Sequence, residues 1–296
     1  MLSRGLDGDP RSIRVTISDP DGAYLGSFAR FGEDEGGLIW PSAIAIDSRG
    51  RFFISDDHTQ LISIFDSSRE FLTRWGRHSS EPGELDGPSG LAVDVDDNLY
   101  VVDHLNHRVQ KFTAEGRFLL VLGSEGSGDG QFNLPWGVAV APSGDVYVAD
   151  WRNDRVQRFS SNGDFLAKHG TPGRGDGQFH RPSSVDGDGY LYVADSGNER
   201  VQVLDPEGGF DVSLRGESDL SKWAEDFFGT NTEEAEARSR SNLEKDIGFF
   251  VQDPHEESSH IEKLFWGPAS VKLDGAGRLY VTETNRHRVQ VYQREP

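Results

Sequence analysis

The sequence has no cysteine, one methionine, six lysines and no long apolar run, and each shortage removes a class of protein. Without cysteine there is no disulfide framework, thiol nucleophile or cysteine-ligated zinc. No apolar stretch approaches the ~18 residues of a membrane-spanning helix. Met1 to Ser12 lacks the apolar segment of a secretory leader, which with the missing cysteine points to the cytoplasm. Positive charge is also short: 30 Lys and Arg against 50 Asp and Glu give a net charge of −20. That excludes a non-specific grip on nucleic acid and disfavours docking to anionic membranes.

What is abundant is turn chemistry and repetition. Glycine (35) and proline (13) suit many short strands joined by turns. Five segments align on one pattern: Phe53-Ile54-Ser55-Asp56, Tyr100-Val101-Val102-Asp103, Tyr147-Val148-Ala149-Asp150, Tyr192-Val193-Ala194-Asp195 and Tyr280-Val281-Thr282-Glu283. The prolines that precede them (Pro41, Pro88, Pro135, Pro182, Pro268) are spaced 47, 47, 47 and 86 residues apart, so the last interval carries an insertion. Each unit reads as four strands. In the third, Val138-Ala139-Val140 is a buried run, Val146 to Ala149 follows the Pro142-Ser143-Gly144-Asp145 turn, Arg155 to Phe159 alternates, and Phe165 to Lys168 closes it. Such a meander cannot bury both faces alone; packing the sheets radially does bury them, which predicts an all-β propeller.

The motifs Pro135-Trp136-Gly137-Val138, Asn153-Asp154-Arg155-Val156-Gln157 and Gly128-Asp129-Gly130-Gln131-Phe132 resemble the NHL repeat, and the resemblance covers nearly all of the chain outside the insertion. It implies a β-propeller, usually of six blades, and says little about function. The expected units are a partial blade at 1–32, repeats at 38–76, 85–123, 132–170 and 179–216, a helical insert at 217–263, and a last repeat at 264–296. Two departures stand out: Leu61 replaces the repeat arginine in the first full unit, and Arg286 replaces the repeat asparagine in the last. The N-terminal piece supplies outer strands only, Ile13 to Ser18 and Tyr24 to Phe31, with Leu2 to Arg4 as the stump of a second strand. The last unit ends after its third strand. The expectation is a six-bladed pattern with an incomplete first blade; the alternative is a five-bladed ring whose last blade takes in the N-terminal hairpin. A further expectation is a piece of a longer protein, with the missing strands supplied by another segment or subunit.

Asp56, Asp103, Asp150, Asp195 and Glu283 stand five residues before Leu61, Arg108, Arg155, Arg200 and Arg288, a spacing that pairs acid with base across a tight hairpin loop. A group recurring in every blade reads as architecture. The acidic stretches Asp94 to Asn98 and Asp186 to Gly189 lack the ligand spacing of a calcium loop and read as turns. Arg174-Gly175-Asp176 falls inside a repeat turn. His255 to His260 is one residue too long for a zinc-protease motif, since histidines five apart on a helix diverge by roughly 140°; it reads as a polar loop.

Function is sought where the repeats differ. Loops leading into the innermost strands carry Trp40, Trp136, Arg181 and Trp266, and loops between second and third strands carry His58, His104, His107, Trp151, Arg152 and His287. Both sets open on the same end of a propeller, which makes these ten residues the candidate ligand-binding set. In the insert, Leu220, Trp223, Ala224, Phe227 and Phe228 form one apolar helical stripe, Thr232 to Leu243 a polar helix, and Ile247 with Phe249 to Val251 another apolar patch. The insert is expected to be a lid over the mouth. The reading is a non-catalytic scaffold for a protein or small-molecule ligand, without a cofactor. The alternative is a metal-dependent hydrolase or lyase: relatives of this repeat include lactonases with a divalent cation at the channel, for which these histidines are the available ligands.

Overall fold

A computed structural model describes residues 1–3, 12–217, 222–241 and 253–293. Six antiparallel sheets follow one another along the chain as the blades of a propeller. Blades 2, 3 and 5 have four strands each: Pro41–Ile46, Phe52–Asp56, Leu61–Phe65 and Phe71–Trp75; Pro88–Val93, Leu99–Asp103, Arg108–Phe112 and Phe118–Leu122; and Pro182–Gly187, Leu191–Asp195, Arg200–Leu204 and Phe210–Leu214. Blade 4 runs Val138–Val140, Val146–Asp150, Arg155–Phe159 and Phe165–His169. Blade 1 has three strands, Leu2–Ser3, Arg14–Ser18 and Tyr24–Phe28, and blade 6 has three, Pro268–Leu273, Arg278–Glu283 and Arg288–Gln293. The N-terminal hairpin therefore forms its own sheet and does not complete the last one, so the ring has six blades and not five. Among the described residues, blade 1 lacks its innermost strand and blade 6 its outermost.

The core lies between blades. Tyr100, Val102 and Val109 of blade 3 pack on Val138, Val146 and Val148 of blade 4, and equivalent clusters fill the junctions of blades 1–2, 2–3, 4–5 and 5–6. Each junction is wedged by the apolar residue three before the repeat proline: Leu38, Leu85, Phe132, Phe179 and Phe265, all fully buried. Glycine makes room for the wedge where it is a phenylalanine. A Cβ on Gly123 would lie 2.3 Å from Phe132, and one on Gly170 2.2 Å from Phe179. Among the described residues no such cluster joins blade 6 to blade 1. On the other side of blade 1, the innermost strand of blade 2 meets the short strand Leu2–Ser3, and Ile46 is 56% exposed.

The insert contributes α1 (Lys222–Thr230), α2 (Thr232–Arg240) and α3 (Pro254–His260). Ser218 to Leu220, Ile247 and Phe249 to Val251 lie outside the described residues, as does the side chain of Trp223. Phe227 of the expected stripe is half exposed and meets Phe228 edge to face. The segment expected as a polar loop is a helix, because Pro254 sits at its first turn and the Asp253 carboxylate accepts from His255 N at 3.1 Å.

Candidate functional site

The loops that build the mouth hang from the repeat acids. Asp150 is fully buried and accepts from Asn133 N, Asn153 Nδ2, Arg155 Nε and Gln157 Nε2 at 2.8–3.1 Å. Asp103 and Asp195 repeat this with Arg108 and Arg200 at 2.6 and 2.7 Å. Burial pushes all three carboxyls up, against the pull of these donors. Their oxygens are occupied by the fold, as a structural role requires. Where Leu61 replaces the arginine, Asp56 accepts instead from the backbone N–H groups of Ile39, Trp40, His58 and Thr59, tying two mouth residues to one carboxylate.

A second constant feature joins blade to blade. The residue before each repeat arginine is in the left-handed region: Gln60, His107, Asp154, Glu199 and His287, with φ between 52° and 63°. That backbone aims the side chain at the next blade. Gln60 Oε1 accepts from Gly87 N, His107 Nδ1 from Leu134 N, Asp154 Oδ1 from Arg181 N and Glu199 Oε2 from Gly267 N, at 2.5–3.1 Å. His107, a candidate ligand group by sequence, is thus an inter-blade latch through one nitrogen.

The position after each repeat acid differs in every blade: Asp57, His104, Trp151, Ser196 and Thr284. His104 is 8% exposed, and neither ring nitrogen has a hydrogen-bond partner. Its Nε2 lies 3.5 Å from Asp57 Oδ1 of the preceding blade, outside hydrogen-bond geometry, and its ring packs against Trp136 of the following blade at 5.1 Å. Gly87 permits this placement, since a Cβ there would lie 2.5 Å from Nε2. Trp40, half exposed, meets the exposed His58 edge on at 5.1 Å. Trp151 has the guanidinium carbons of Arg152 and Arg181 at 5.5 and 5.1 Å from its ring centroid. His287 is exposed at the end of blade 6.

Eight of the ten candidates fall into local groups, with His107 taken up as a latch and His287 apart. His58 is with Trp40, His104 with Trp136, and Trp151 with Arg152 and Arg181, while Trp266 belongs with the insert. Among the described residues no three His, Asp or Glu side chains stand close enough to share a metal ion. Sequence reasoning missed Asp57 and Glu199, and set His255 aside as part of a polar loop. The first two are visible in hindsight as the odd members of two aligned columns; His255 carries no such signal.

The insert is fastened to this rim by α3. His255 Nδ1 lies 2.6 Å from Glu199 Oε1, and Trp266 Nε1 donates to His255 Nε2 at 3.3 Å, which assigns the proton to Nδ1. Glu257 pairs with Arg215 at 2.7 Å. Arg286 donates to the carbonyls of Ser258 and Ile261 and lies 5.5 Å from the Trp266 ring centroid. The arginine thus does here what Asn106, Asn153 and Asn198 do for shorter loops, with the reach the insert needs. Arg238 of α2 bridges to Glu262 by two bonds of 3.0 Å.

The NHL repeat family matches residues 85–112, 132–159 and 265–292. The chain carries the NHL repeat at these three positions of its β-propeller. Among solved structures it is similar to a structural-genomics protein of unknown function from Bacteroides thetaiotaomicron (17% identity, 95% of this chain and 64% of that one, TM-score 0.63). It is also similar to a chain of the nidogen/laminin complex (17%, 92% and 82%, 0.60). A third is a catalytically inactive virginiamycin B lyase from Staphylococcus aureus, solved with quinupristin (10%, 95% and 77%, 0.56). At these identities the likeness is one of fold. No curated protein matches this sequence. No described helix is long and apolar enough to cross a membrane.

Proposed function

We propose that this NHL propeller is a non-catalytic binding scaffold that takes a protein or small-molecule ligand at the Trp- and His-lined mouth, with the insert as its lid. The observation that carries this reading is His104. Among the described residues its buried imidazole has no hydrogen bond and only a 3.5 Å contact to Asp57, and a polar group left unsatisfied costs a fold about 1–3 kcal/mol. Every other blade puts a different residue at that position, so the repeat does not require it. A group the fold does not need, held at a cost beside an aromatic wall, is what a ligand site looks like before its ligand arrives. The nidogen/laminin neighbour gives the same fold a protein-binding precedent.

Urea unfolding of His104→Leu tests this. Removing the unsatisfied imidazole at similar volume raises the stability of the free protein, by about 1 kcal/mol or more. A loss of stability would mean that the imidazole serves the fold, and the reading would fail. The lid has its own check: deleting residues 217–263 exposes Trp266 and shifts tryptophan emission to the red, whereas unchanged emission counts against a lid.

A further inference from the structure

Within the proposed mouth, and resting on that reading, the structure points to the chemical class of the ligand. Most arginines that build this ring are neutralised: Arg108, Arg155, Arg200 and Arg288 each hold a repeat carboxylate. Arg152 and Arg181 do not. Both are exposed, both lie on the mouth loops of adjacent blades, and among the described residues neither guanidinium has a carboxylate partner. Asp154, at the end of the same loop, accepts at Oδ1 from the Arg181 backbone N–H at 2.7 Å and lies 3.6 Å from His180 Nδ1. Two like charges are instead gathered on a single ring, that of Trp151, so their separation cannot exceed the sum of their two distances from its centroid.

In a chain of net charge −20, the field of the molecule already supplies counter-charge at long range, yet these two cations are left open at short range. Holding them together against their repulsion costs free energy that a cation–π contact at an exposed site, about 0.5–1 kcal/mol, only partly offsets. An oxyanion bound by both removes the repulsion and receives planar forked donors from two guanidinium groups. We propose that Arg152, Trp151 and Arg181 form a clamp for a carboxylate or phosphoryl group carried by the ligand. This reverses the expectation from net charge alone, which favours basic or neutral partners.

The test uses the full chain labelled with 15N, following the Trp151 indole N–H resonance, assigned by its loss in Trp151→Phe. Sodium phosphate and sodium acetate are titrated separately at constant ionic strength made up with sodium chloride, with choline chloride as the cationic control. Saturable shifts with phosphate, acetate or both support the clamp, and the anion that saturates tells phosphoryl from carboxylate. Arg152→Gln and Arg181→Gln each weaken the binding about tenfold or more, while Arg117→Gln, on an outer turn away from the mouth, leaves it unchanged. Shifts that are linear and equal to those with chloride overturn the proposal, as does wild-type binding by both glutamine variants. If His104→Leu is stabilised but neither anion saturates, the mouth site stands and the oxyanion clamp falls. If the anions saturate but His104→Leu is destabilised, the clamp stands and the wider mouth reading falls.

Discussion

Asp150 shows how a single side chain can be indispensable without being a source of net stability. Burial pushes its carboxyl up, so part of its desolvation cost is left unrecovered, yet Arg155 and Gln157 are built around it. Replacing it with alanine leaves a buried guanidinium uncompensated. Asp150→Ala is therefore expected to lower stability by about 3–5 kcal/mol in urea unfolding. His169 has a different dependence. Burial, with Arg158 as the smaller cause, lowers its pKa below 6.5, so the folded chain holds it neutral. As pH falls through the ordinary histidine range the unfolded chain binds that proton and the folded chain does not, so stability falls. His169→Gln should shrink the loss between pH 7.5 and 5.5; an identical loss in the variant would remove His169 as a cause. At this scale the repeat acids and arginines were readable from spacing alone, because hydrogen bonds within a hairpin leave a fixed interval. The isolation of His104 was not, because it depends on side chains from three consecutive blades.

The elements were legible where a period dictated them. Turn residues and alternation marked the strands of blades 2 to 5, and the wedge at Phe132 was already part of the recognised motif. Its removal in Phe132→Ala should cost about 3–5 kcal/mol, as for other large buried aromatics, measured by the same unfolding. The insert was less legible. Its helix α3 gains its place largely from Glu199, Arg215 and Arg286, 28 to 56 positions away from their partners, and no local pattern encodes those. In His255→Ala the bonds to Glu199 and Trp266 are lost, and the amides of residues 255–260 should exchange about fivefold or more faster in hydrogen-exchange measurements, with those of blade 4 unchanged. Unaltered exchange in α3 would show that Arg286 and Arg215 alone suffice to dock it.

The molecule as a whole is a ring with one weak seam. Five junctions have apolar clusters and the sixth, between blades 6 and 1, has none among the described residues. Amide exchange should rank accordingly, fastest in Arg14–Ser18, Tyr24–Phe28 and Arg288–Gln293 and slowest in Val146–Asp150 and Arg155–Phe159. Equal protection in blades 1 and 4 would mean that the ring opens only as one unit. Counting repeats left six blades and five both open. The choice between them was not legible, because the sheet that a terminal hairpin joins is decided by pairing and not by pattern. The left-handed position before each repeat arginine has one more consequence. An amide, an imidazole and two carboxylates all seat on the same kind of backbone N–H, so assembly asks only for an acceptor at that bend. Which acceptor it is sets the charge of the rim. Exchanging carboxylate for amide there can therefore turn the rim from acidic to neutral, blade by blade, while the joints between blades stay closed; an imidazole closes its joint only while its accepting nitrogen is unprotonated.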